Sequence, residues 1–206
     1  MISKLVFLLL AAFSLMGSPG PATLSLASLG AAFGFRSCRG YLLGIIAGTT
    51  TVLLIVATGV TAIVTAEPVM LLGLQIAAAV YIVYLAWKIA TAPVRSSVDN
   101  AEVRPNAVVA SFLPGLGLAI ANPKAFAAIG AVYSGHSIVP SQPGLDAVVK
   151  VIALTGVIVI VNTAWLLFGS TFSRVLTNPV LGRAINIVFA VLLLGSVGMS
   201  LLMTWN

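Results

Sequence analysis

Ala121-Asn122-Pro123-Lys124-Ala125 sets a helix breaker beside a full positive charge, inside a stretch otherwise apolar enough to span a membrane. An ammonium near the bilayer centre costs roughly 2.5–3.5 kcal/mol on insertion scales, so one placed there needs compensation. Pro123 removes a backbone N–H and frees the carbonyl one turn earlier. Irregular backbone at membrane depth persists only where protein or a water-filled cavity satisfies it. The stretch therefore predicts a polar site inside a bundle of helices.

The composition agrees. Of 206 residues, 60% are hydrophobic and 7% charged, with a mean hydropathy of +1.17, against about 25% charged in soluble domains. This is an all-α integral membrane protein, with room for about six helices of ~20 apolar residues in a single membrane transport domain. The net charge of +6 comes from basic residues scattered singly among apolar runs, which argues against nucleic acid as a partner. A single cysteine, Cys38, excludes an internal disulfide and a thiol relay. With one histidine besides, no metal site is expected, and without a phosphate-binding glycine loop no nucleotide cofactor is. His136 stands two residues from Ser134, but no nucleophile elbow precedes the serine, so a loop histidine is expected rather than an enzyme's base.

The first apolar run covers residues 5–35 without a charge and is interrupted at Gly17-Ser18-Pro19-Gly20-Pro21. Lys4 followed by a short apolar stretch also fits a cleaved signal peptide, but the apolar pattern resumes at Ala22, as one helix broken partway across would. After Arg36 and Arg39, the second span covers 40–66. Gly40, Gly44 and Gly48 recur there every fourth residue and present a bare face for helix packing. Glu67-Pro68 is a short turn into a third span, 69–87, whose Tyr81, Tyr84 and Trp87 precede Lys88. The aromatic residues suit an interfacial belt, with Tyr81 kept open as a substrate contact. A polar connection, 93–105, follows. The fourth span begins near Ala107 and contains the Asn122-Pro123-Lys124 break, the fifth covers 151–168 and the sixth 184–203.

Six spans divide into repeat one (1–92) and repeat two (106–206), each opening on its broken helix. Three spans per repeat is an odd number, so the second repeat is inverted relative to the first. Inverted repeats with broken first and fourth helices point to a transporter with its site near the midplane. Arg36, Arg39, Lys88, Arg95, Arg104, Arg174 and Arg183 fall beside odd-numbered loops, whereas Lys4 and Lys150 fall opposite. This asymmetry puts the odd-numbered loops in the cytoplasm and both termini outside.

Pro19-Gly20-Pro21, Gly34, Arg36, Gly40, Gly44, Gly48, the run Ala79-Val80-Tyr81-Ile82-Val83-Tyr84-Leu85-Ala86-Trp87-Lys88 and Asn122-Pro123-Lys124-Ala125 together resemble the lysine exporter (LysE/RhtB) family of amino-acid efflux proteins. The resemblance covers nearly the whole chain. It implies a six-helix exporter of amino acids in the bacterial inner membrane, driven by the proton gradient, with a homodimer as its assembly. The chain departs from members that move lysine or arginine, because apart from Glu67 at a turn no carboxylate is expected in a span. Neutral or small zwitterionic substrates are therefore favoured over cationic ones.

For such a substrate the expected site is Ser18, Pro19, Gly20 and Pro21 at one break, Asn122, Pro123 and Lys124 at the other, and Tyr81. Half-helix N-termini after Pro21 and Pro123 would hold the carboxylate, while carbonyls freed before the breaks and the Asn122 amide would accept from the ammonium. Lys124 has three candidate roles. It binds the carboxylate, it alternates between charged and neutral as the proton-coupling residue, or its stem lies along the helix while its charge reaches the headgroups. Export of another small solute or ion, and a non-transporting membrane subunit, are the competing readings.

Overall fold

The computed structural model describes residues 1–59 and 110–175, together with scattered residues within 76–91 and 180–195. Glu67-Pro68, Lys88 and the connection 93–105 with Arg95 and Arg104 lie outside the described residues, as does the chain beyond 195. Among the described residues the structure is helical, without strands.

The first run is two helices, α1 (Ile2–Gly17) and α2 (Pro21–Phe33), bent by 63° at the break. Residues at the break are extended: Ser18 has φ −66° and ψ 152°, and Gly20 has φ −173° and ψ −179°. Pro21 then restarts the helix at its first position, where a missing N–H costs nothing. Thr23 holds the new end in place, its Oγ1 accepting from the Gly20 N–H at 2.9 Å. At the other end of α2, Gly34 takes a φ of 79° that only glycine adopts without strain, and its N–H closes on the Gly30 carbonyl at 2.9 Å. A 3-10 turn (Arg36–Cys38) leads into α3 (Arg39–Ala57).

The second break is built the same way. α4 (Phe112–Ile120) and α5 (Pro123–Gly135) meet at 60°, with Asn122 as the N-cap and Pro123 at the first position of α5. α6 (Pro143–Val175) begins earlier than hydropathy predicts, so its first turn contains Asp146. The expectation that no carboxylate other than Glu67 lies in a span needs that correction. Polar partners permit the early start: Asp146 pairs with Lys150 at 2.9 Å and accepts from the Val139 N–H at 2.8 Å, while Lys150 also donates to the Tyr133 carbonyl at 2.9 Å. Among the described residues, two helices are long and apolar enough to cross a membrane, or up to four spans if each bent pair is one.

The halves interlock. Both pieces of the first broken helix pack on α6, and both pieces of the second pack on α3. Glycines bring the backbones together, since a β-carbon on Gly44 would meet the Phe112 carbonyl and one on Gly48 would lie 2.7 Å from the Leu116 carbonyl. On the α2–α6 seam, a β-carbon on Gly30 would lie 2.6 Å from the Leu166 carbonyl. One core cluster gathers Leu26, Leu29, Tyr41 and Ile45, and another gathers Leu8, Ile129, Leu154 and Ile158. Phe7, Leu10, Leu43 and Ile152 point outward, as side chains facing lipid would.

Candidate substrate site

The two breaks face each other. Lys124, at the second position of α5, sends its ammonium across to the carbonyls of Ser18 and of Pro19, the latter at 2.9 Å. Trp165 on α6 donates its ring N–H to the Gly17 carbonyl at 3.1 Å. A helix C-terminus leaves carbonyls without intrahelical partners and carries negative partial charge, so a cation placed there compensates both. The second half of the chain thus satisfies the broken end of α1, and that broken end in turn answers the half-buried charge of Lys124. Gly20 makes room for this, because a β-carbon there would lie 2.6 Å from Lys124 Cδ.

Beside Lys124 lies a small, half-open cavity of about 40 Å³. Gly20, Ala22 and Thr23 of the first break line it, with Asn122, Lys124, Ala125, Ala128 and Ile129 of the second. Met16, Thr49 on α3, and Ile158, Val161 and Asn162 on α6 complete it. Lys124 is the one ionisable side chain among these lining residues. Asn122, 6% exposed, uses its Oδ1 to accept from the Lys124 N–H at 3.2 Å, the usual N-cap bond.

Of the residues expected from sequence, Gly20, Asn122 and Lys124 line the cavity. Ser18 and Pro19 take part through their carbonyls, and Pro21 and Pro123 set the helix starts. The carbonyls freed at the first break are expected to receive a substrate ammonium, whereas here they receive Lys124. Tyr81 lies elsewhere, packed against the cluster around Tyr41, whose hydroxyl donates to Ser25 Oγ at 3.1 Å. Lys124 directs its charge into the break rather than along its helix. His136 is held by its own helix, with Nδ1 2.9 Å from the Val132 carbonyl.

Asn162 and Trp165 were not singled out by the sequence reading. Ile158, Val161, Asn162 and Trp165 share one face of α6, at the i, i+3, i+4, i+7 spacing, and that face meets the break. The signal for Asn162 was present: an amide in an apolar span is a site candidate by the same reasoning applied to Lys124.

The model of the LysE type translocator family matches residues 13–204. The chain belongs to the LysE type translocators. Among proteins similar to this LysE-family chain is a cysteine/O-acetylserine efflux protein of Escherichia coli O139:H28 (strain E24377A / ETEC), 33% identical over 178 residues, covering 86% of this chain and 87% of the relative. The cysteine/O-acetylserine efflux protein of Escherichia coli (strain K12) is 33% identical over 177 residues, 85% of this chain and 86% of its own. That of Shigella flexneri serotype 5b (strain 8401) has the same identity and coverage. No solved structure matches the LysE-family chain.

Proposed function

We propose that this LysE-family protein is a secondary exporter of small neutral amino acids, of the cysteine and O-acetylserine class for which its relatives are named. The observation that carries the reading is Lys124, among the described residues the lone ionisable side chain lining a cavity bounded by both breaks. A zwitterion's carboxylate is drawn to that ammonium and to the N-terminus of α5, whose dipole favours an anion. Binding there loosens the hold of Lys124 on the Ser18 and Pro19 carbonyls, which joins the two halves of the chain. Substrate thereby acts on the contact that alternating access must remake. Among the described residues no carboxylate lines the cavity to pair with a cationic side chain, which favours neutral substrates.

The packing of each broken helix on the other half's long helix supports two inverted three-helix repeats. Proton coupling belongs to the same proposal, with Lys124 as the group able to carry the proton. So do the inner-membrane location, the cytoplasmic odd-numbered loops and the homodimer.

Efflux tests it. Cells loaded with a mixture of amino acids and expressing the protein should release neutral members faster, and Lys124→Ala at matched membrane level should abolish the gain. A protonophore should abolish it as well, and chemical cross-linking in the membrane reads the assembly. Predominant release of lysine or arginine would contradict the substrate class. Release of no amino acid would turn the search to other small solutes or ions. Undiminished efflux by Lys124→Ala would remove Lys124 from the mechanism.

A further inference from the structure

Two asparagines line the cavity, and the backbone fixes their amides in opposite senses. Asn122 is held through its oxygen, which accepts from the Lys124 N–H, so its Nδ2 donors make no hydrogen bond to the described residues. Asn162 is held through its nitrogen, which donates to the Ile158 carbonyl at 2.8 Å, so turning the amide over would set two oxygens together. Asn162 therefore keeps an acceptor, Oδ1, with no hydrogen bond to the described residues, on a residue only 5% exposed. Thr49 Oγ1, on a residue 8% exposed, lines the same cavity and is likewise without a protein hydrogen bond. Neither oxygen is sealed within protein, as Thr50 Oγ1 is among the described residues, so both are open to a donor from the cavity's occupant.

We propose that Asn162 Oδ1 and Thr49 Oγ1 form the receptor for the α-ammonium of a neutral amino acid whose carboxylate is taken by Lys124 Nζ and Asn122 Nδ2. The assignment rests on the reading of the protein as an amino-acid exporter and supplies the half of the site that reading lacks. An ammonium has only donors and a carboxylate only acceptors, so a cavity with donors on α5 and acceptors on α3 and α6 reads both charges of a zwitterion at once. The Ser18 and Pro19 carbonyls do not compete for this role while they hold Lys124. Ile129 and Ile158 line the same cavity with apolar side chains.

The test uses the full-length protein in proteoliposomes, with labelled L-cysteine kept reduced as the transported probe and 3-mercaptopropionate, which lacks only the ammonium, as competitor. Asn162→Leu should raise the half-saturation concentration about tenfold or more with little change in maximal rate, the loss expected for a hydrogen bond to a charged group. Asn162→Gln keeps both an acceptor and a donor for the Ile158 carbonyl and should recover most of the loss seen in the leucine variant. Thr49→Val, nearly the same shape without the hydroxyl, should raise it several-fold and carries the test if the leucine variant fails to reach the membrane. Unlabelled L-cysteine should compete and 3-mercaptopropionate should not. Unchanged half-saturation in both Asn162→Leu and Thr49→Val would overturn the assignment. An equal rise in the leucine and glutamine variants would do the same, since Asn162 would then only shape α6. Equal competition by 3-mercaptopropionate would also overturn it. If the unsubstituted protein moves neither L-cysteine nor any other neutral amino acid, the export reading itself falls, a result distinct from each of these.

Discussion

Lys124 shows how a single residue can join two half-sites. Its ammonium is compensated by backbone carbonyls more than a hundred positions away in sequence. The narrowness of the passage beside Gly20 gives a residue-scale prediction. In Gly20→Ala the new methyl would occupy the space of the Lys124 stem, 2.6 Å from Cδ. A flexible side chain can swing aside, so the protein should still fold. The displaced ammonium then leaves the Ser18 and Pro19 carbonyls, at a cost of roughly 1.5–3 kcal/mol for charge-assisted hydrogen bonds. Melting in detergent should be lowered accordingly, and efflux at matched membrane level should fall together with it. Wild-type efflux and melting in this variant would mean that the Lys124 contact is not held in the working protein.

At the scale of helices, close backbone approach governs the seams. Packing in a membrane gains little from excluding water, so small residues that let backbones touch supply much of the association. A β-carbon on Gly44 would strike the Phe112 carbonyl, which is backbone and cannot turn away. Gly44→Ala should therefore destabilise by about 1–3 kcal/mol as overpacking does, read as a lower melting temperature in detergent. Gly117→Ala is the control, because nothing lies within 4 Å of the position. Alanine there should leave stability unchanged or raise it by up to about 1 kcal/mol through helix propensity. Similar losses in both variants would mean that the α3–α4 seam is not where Gly44 acts. The regular spacing of Gly40, Gly44 and Gly48 was legible in the sequence, whereas their partner on α4 was not, since spacing names a face and not what covers it.

Over the whole molecule, the charge asymmetry between loops predicts orientation. A cysteine introduced at Ser3 in a Cys38→Ser background should react with a membrane-impermeant maleimide in intact cells, and one introduced at Ser37 should react only after the cells are opened. The reverse pattern would invert the topology. Native Cys38 is buried, 0% exposed, so the background substitution removes a thiol that is itself poorly accessible. The exchange of helices between halves follows from the two breaks: each half presents an open helix end, and the other half's long helix covers it.

The sequence by itself determined the membrane class, the positions of both helix breaks and the lysine at the second of them, because hydropathy, proline and charge act where they stand in the chain. It also supplied the family resemblance, which the match over residues 13–204 established. The early start of α6 was harder to read, since Asp146 and Lys150 look like loop residues until they pair with each other and with the backbone at the end of α5 and just after it. Only the tertiary structure decided which carbonyls answer Lys124, why Tyr81 stands away from the cavity, and which end of each asparagine amide is left to bind. Those outcomes depend on contacts between α1, α5 and α6 across long stretches of sequence. A side chain's chemistry is written locally, but its unspent hydrogen bonds are known only once its neighbours have taken theirs.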